Sequence, residues 1–165
     1  MKRYLLPILL FSALVSGCGK TQSDRAKYLA QAAKDDKILA DYIEANNLKD
    51  KALKANDTSG VYYIIMRNGQ GNDVFTSSTI ITVGDTGKVL GADTAFTQTN
   101  EFHPSYTLGQ VILGWRLGIP KMQRDGIIRL LIPSRYAYGP NPQKNIGLPA
   151  NAILDFNIRL YDITN

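Results

Sequence analysis

Hydrophobic and polar positions recur along this chain in two rhythms, and the change between them divides it. From Asp24 to about Ala45, apolar residues return every three to four positions: Tyr28, Leu29, Ala32 and Ala33, then Leu39, Tyr42 and Ile43. That spacing is the period of an α-helix with one apolar stripe. Ser23 is a candidate N-cap, and Asp24 suits the positive end of the helix dipole. Gly19 to Ser23 is short and polar and reads as a flexible tether. Asn46-Asn47 interrupts the helical pattern, Leu48 to Ala55 is expected to add a turn or two, and Asn56-Asp-Thr-Ser-Gly60 reads as a loop.

From Val61 the rhythm shortens to two. Strands are expected at Val61–Met66, over Thr79–Leu90 as one or two strands, at Thr94–Thr97 and at Ile127–Ile132, which Pro133 closes. Gly84 and Gly87 mark bends or bulges, and Asn68-Gly69-Gln70-Gly71 marks a turn. A short helix is expected to start near Gly114-Trp115. In the last strand Leu154, Phe156, Ile158 and Leu160 form one face, with Asp155, Asn157 and Arg159 on the other. Such alternation argues for an antiparallel sheet with one buried face. The fold class is α+β: a sheet wrapped over a short helix, preceded by an N-terminal helical extension. The apolar stripe of that extension has two readings, packing against the neighbouring domain or pairing with another protomer or a client.

Composition changes this picture little. The chain has 165 residues, 44% hydrophobic and 20% charged, as in globular proteins. The net charge of +5 includes Lys2 and Arg3 in a segment expected to be removed. No basic and aromatic cluster points to nucleic acid, and none is expected as a partner.

Residues 1–17 have the form of a secretion signal. Lys2 and Arg3 precede the apolar run Tyr4–Val15, which is too short for a comfortable membrane span. Val15-Ser16-Gly17-Cys18 resembles the lipobox of bacterial lipoproteins. That resemblance implies acylation of Cys18, cleavage before it, and anchoring of the chain to a membrane of the bacterial cell envelope. Cys18 is the single cysteine, so no intramolecular disulfide is possible.

Three segments are the most specific: Tyr106-Thr-Leu-Gly-Gln-Val-Ile-Leu-Gly-Trp115, Ile132-Pro-Ser-Arg-Tyr-Ala-Tyr-Gly139 and Leu148-Pro-Ala-Asn-Ala-Ile-Leu-Asp-Phe156. Together they resemble the FKBP-type peptidyl-prolyl cis–trans isomerase domain over roughly residues 60–165. The resemblance implies a curved, antiparallel FKBP-like sheet over a short helix. It divides the chain into a lipoprotein signal peptide at 1–17, a lipidated tether and helical extension at 18–57, and an isomerase domain at 58–165. It also implies a pocket. Trp115 would be its floor and Phe96 and Phe156 its walls. Val111 and Ile112 would line one side, with the Ile112 N–H meeting a substrate carbonyl. The Tyr138 hydroxyl would donate to the carbonyl beside the proline, and Leu148 would supply the apolar position of the loop before the last strand.

Such a pocket suits the chemistry. The barrier to rotation about an X-Pro bond, about 18–20 kcal/mol, arises from amide resonance, and both isomers lie within about 1 kcal/mol. Twisting the bond leaves a less polar carbonyl, so an apolar, water-free pocket favours the twisted state. No cofactor or metal is implied. His103 reads as a solvated turn residue without metal-ligand spacing, and Ser134 has no triad partner.

Two positions depart from the family pattern. Asp85-Thr86-Gly87 stands where the family usually reads Tyr-Thr-Gly. Thr97 follows Phe96 where the family usually has an aspartate that polarises the site. Phe102-His103-Pro104 occupies the stretch of another pocket aromatic. Asp85 and Thr97 are therefore substrate-binding candidates that alter the pocket's polarity. The expected activity is isomerisation in exported, proline-containing polypeptides, with a homodimer through the N-terminal helix as a further expectation. The alternative is a non-catalytic chaperone or binding module built on a degenerate pocket.

Overall fold

The strand with the clearest alternation, β7 (Leu154–Thr164), lies inside the sheet rather than at its edge. The computed structural model describes residues 19–165. The signal-peptide and lipidation expectations for 1–18, Cys18 included, lie outside these residues. Helix α1 spans Gly19–Ala45, and the strands before β7 are β1 (Leu53–Lys54), β2 (Tyr62–Arg67), β3 (Ile80–Val89), β4 (Ala95–Gln98), β5 (Ser105–Thr107) and β6 (Ile127–Ile132). Helix α2 (Leu113–Gly118) sits between β5 and β6.

The strands form one sheet in the order β1-β2-β6-β7-β3-β4, with β5 also paired to β3. Every pairing is antiparallel. The β3–β7 ladder runs from Ile80 opposite Thr164 to Val89 opposite Leu154, with a bulge between Thr82 and Val83. Thr79–Leu90 thus holds a single strand, and a second bulge beside Gly87 bends it against β4.

One face of this sheet closes over α2. Ile81 and Val83 of β3, Ile128, Leu130 and Ile132 of β6, and Leu154, Phe156, Ile158 and Leu160 of β7 pack with Trp115, Ile119 and Met122. Each such side chain taken fully from water stabilises the fold by roughly 1.5–3 kcal/mol. Gly114 and Gly118 let α2 press onto β6. A Cβ at either would stand 2.5 or 2.4 Å from Ile132 or Leu130 side-chain carbons.

The second face is covered in part, where the one-sided alternation leaves it to solvent; Asn157 and Arg159 of β7 stay exposed. Helix α1 crosses it. Leu39 and Ile43 bury against Leu131 of β6 and Ile153. The apolar stripe of the extension therefore packs on its own domain. Arg135 reinforces this docking by donating to the Ala32 carbonyl at 3.2 Å, Asp36 at 2.7 Å and the Ser59 carbonyl at 2.8 Å.

Two expectations at the N-terminus are corrected. Gly19–Ser23 is the first stretch of α1 rather than a tether, and Ser23 lies inside the helix, where it caps nothing. No proline or apolar break separates these residues from Asp24, so the helix runs through them. Leu48 opens a hydrogen-bonded turn, with the Ala52 N–H bonded to its carbonyl at 2.8 Å. The chain then extends into β1 instead of continuing as helix.

Candidate active site

Between β3, β4, β5 and α2 the sheet leaves a cavity of about 410 Å³. Asp85, Phe96, Thr97, Val111, Ile112, Trp115, Tyr138 and Phe156 all line it, although they are drawn from positions spread over 72 residues. Leu148 is instead buried in the core and is not among the lining residues.

The aromatic side chains form a chain of edge-to-face contacts. Phe96 meets Phe156 at 5.6 Å and 87°, Phe156 meets Trp115 at 5.2 Å and 84°, and Trp115 meets Tyr106 at 6.1 Å and 81°. Such geometry is favourable by about 0.5–1.5 kcal/mol per pair beyond area burial. It also fixes the rings, which leaves a rigid, apolar recess. Among the described residues the buried Trp115 Nε1 has no hydrogen-bond partner.

Polar groups enter at a few points. Ile112 caps α2, and its carbonyl accepts the Trp115 N–H at 3.0 Å and the Arg116 N–H at 3.2 Å. Its own N–H precedes the first turn and has no intrahelical acceptor. Tyr138 follows the tight turn Ser134–Tyr136 that leaves β6. Asp85 sits on the inward face of β3 and is only 6% exposed. Burial pushes its carboxyl above the ordinary range, and the Thr97 hydroxyl beside it partly opposes that. Burial, and then the Asp85 charge, pushes the Tyr138 hydroxyl up; Tyr106 responds in the same way. Both phenols therefore stay protonated as donors.

Three lining residues were not singled out from the sequence: Tyr106, Gln110 and Ile146. Tyr106 and Gln110 lie inside the most specific motif, which was the available signal. Tyr106 supplies the aromatic group sought at Phe102-His103-Pro104. Phe102 is 77% exposed. His103 is not a solvated turn residue either: it stacks on Tyr161 with centroids 3.8 Å apart, and its buried Nδ1 lacks a partner among the described residues. A larger groove of about 560 Å³ runs between α1 and the Ser134–Tyr136 turn. It contains no part of the aromatic chain and is a seam of the helix docking.

Comparison with known proteins agrees with this geometry. The family model described as FKBP-type peptidyl-prolyl cis-trans isomerase matches residues 71–161. The FKBP-type peptidyl-prolyl cis-trans isomerase FkpA of Buchnera aphidicola from Schizaphis graminum is 29% identical over 93% of this chain and 61% of its own length. The protein of the same name from Escherichia coli K12 is 30% identical over 86% of this chain and 51% of its own. This chain thus spans little more than half the length of these relatives. The crystal structure of FkpA from Escherichia coli superposes with a TM-score of 0.66 and 26% identity, covering 87% of this chain and 66% of that one. A peptidyl-prolyl cis-trans isomerase structure from Pseudomonas syringae shares the fold, with a TM-score of 0.67, 21% identity, and coverage of 81% and 96%.

Proposed function

The chain belongs to the FKBP-type peptidyl-prolyl cis-trans isomerase family, and from that premise we propose that it catalyses rotation about X-Pro bonds in exported polypeptides. The convergence of Phe96, Trp115, Phe156 and Tyr138 on one apolar cavity carries this reading. The proline ring enters between the Phe96 and Phe156 walls and rests on Trp115. Val111 and Ile112 flank it, the Ile112 N–H holds a substrate carbonyl, and Tyr138 donates to the carbonyl next to the proline. The aromatic and aliphatic walls of the recess lower the cost of losing amide resonance. Residues 58–165 act as the catalytic domain, with Leu148 supporting it from the core. Residues 18–57 act as a lipidated N-terminus and helical extension.

The lipobox-like Val15-Ser16-Gly17-Cys18 supports a site of action at the bacterial envelope, with lipid on Cys18. Among the described residues no helix is long and apolar enough to cross a membrane. Tyr28 and Leu29 stand exposed on α1 and favour pairing of two copies through that helix. Clients are proline-containing exported chains whose folding waits on a slow isomerisation.

The purified full chain, assayed on an X-Pro peptide beside Tyr138→Phe, tests the activity. Turnover by the parent chain and a loss of about tenfold or more in the variant support the isomerase. A folded parent chain without turnover overturns it. The buried charge at Asp85, with Thr97 where the family places an aspartate, favours a second reading as a non-catalytic chaperone. That reading predicts peptide binding without turnover.

A further inference from the structure

The eleven residues that line the cavity include one formal charge, and it is the negative charge of Asp85. Among the described residues no lysine, arginine or histidine shares that lining. Arg116, a cation on α2, is not among the lining residues, and its Nε is engaged by the Val111 carbonyl at 2.9 Å. Across the β3–β7 ladder Asp85 faces Ile158, which is fully buried and apolar. On the cavity side the carboxylate thus stands beside hydroxyl groups, those of Thr97, Tyr106 and Tyr138, while His103 and Arg159 border it on the opposite side of the sheet edge, outside the cavity. Its backbone is anchored as well, since the Asp85 N–H donates to Thr99 Oγ1 at 2.6 Å and the Thr99 N–H to the Asp85 carbonyl at 2.8 Å. The strand position is therefore fixed, and the side chain on it is only 6% exposed.

A buried carboxylate short of a cation is costly, and a ligand that brings a cation or a strong donor relieves that cost. A ligand that brings a second carboxylate adds repulsion in a medium that screens poorly. We propose that Asp85 is a specificity-determining residue: the cleft selects proline segments with a cationic or hydrogen-donating side chain next to the proline and rejects acidic ones. This rests on the reading that the cavity receives the proline ring.

Three peptides that differ only before the proline, Lys-Pro, Ala-Pro and Glu-Pro, test it on the full chain. Two readouts are needed: kcat/KM for isomerisation, and Kd from the fluorescence of Trp115, the single tryptophan. The expected order is Lys-Pro above Ala-Pro above Glu-Pro, each step about fivefold for one charge across a partly desolvated gap. Asp85→Asn should bring all three within about twofold. Gln110→Lys, which adds a cation to the same lining and leaves Asp85 in place, should shrink the preference in the same direction.

Equal values for the three peptides in the parent chain overturn the selection while leaving the isomerase reading intact. A preference that persists unchanged in both variants also overturns it. Ordered binding without turnover supports the selection and removes the isomerase instead. Neither binding nor turnover removes both.

Discussion

Asp35 of α1 accepts two hydrogen bonds from Ser134, 99 residues away: one from its backbone N–H at 2.9 Å and one from its hydroxyl at 2.6 Å. Both residues are buried. Gln31 Nε2 donates to the other Asp35 oxygen at 2.7 Å. Ser134 begins the tight turn that leads to Tyr138. The extension outside the aromatic cavity therefore holds one end of the segment that presents a cavity hydroxyl.

Asp35→Ala should leave two buried donors of Ser134 unsatisfied. Each such group costs about 1–3 kcal/mol, so a loss of about 2–4 kcal/mol is expected. Urea unfolding measures it, and Asp35→Asn, which keeps an acceptor, should lose less.

Gly87 lies under the cavity walls. A Cβ there would stand 2.5 Å from a Phe156 ring carbon, 2.7 Å from Thr97 Cγ2 and 2.9 Å from a Phe96 ring carbon. Gly87→Ala should therefore push both walls apart and destabilise the fold by about 1–3 kcal/mol. Thermal unfolding reads the stability, and Trp115 fluorescence reads the disturbed walls.

Arg129 and Asp155 form a two-pronged pair across β6 and β7, at 2.9 and 2.6 Å, with side chains 22% and 12% exposed. Arg129 also donates to the Tyr42 hydroxyl of α1 at 2.8 Å. The bond to Asp155, chiefly, raises the arginine's already high pKa. Asp155→Ala strands a half-buried cation and should cost about 2–4 kcal/mol. Removing the exposed Lys37–Asp41 pair should change stability by less than about 0.5 kcal/mol. Chemical denaturation of the two variants side by side checks the contrast.

Asp85 predicts a pH dependence of opposite sign to that of an ion-paired carboxylate. Burial places its folded pKa above the ordinary 3.8. Between those two values the folded chain holds more protons at this site than the unfolded chain. Stability from this group is then lost as pH rises through that window. The hydroxyls of Thr97, Tyr106 and Tyr138 on its cavity side stay protonated there, and His103 and Arg159 border the recess on its other side. Asp85→Asn should remove this dependence and be more stable than the parent chain at neutral pH. Unfolding midpoints for both proteins from about pH 4 upward provide the comparison, and identical pH profiles would refute the assignment.

Much of this protein is written in local pattern. The period-two run Leu154, Phe156, Ile158, Leu160 could satisfy only a half-buried strand, while the motifs around Trp115 and Tyr138 imply one cavity through their resemblance to the FKBP family. Patterning also reported the apolar stripe of α1 through Leu39 and Ile43. These features are local because side-chain alternation and helical spacing are set by neighbours in sequence.

What the tertiary structure alone decided lies in contacts between distant residues. Leu131 alternates as a solvent-facing position, yet α1 covers it, because a sheet face is polar or apolar according to what packs on it. Tyr106, and not Phe102, supplies the remaining aromatic group, because β5 pairs with β3 in a register that no local spacing encodes. Asp85 and Thr97 read as two separate departures along the chain. Across the β3–β4 ladder Thr97 pairs with Gly87, two residues from Asp85 on the same face, so a carboxylate and a hydroxyl meet diagonally, and that adjacency sets the polarity of the cavity.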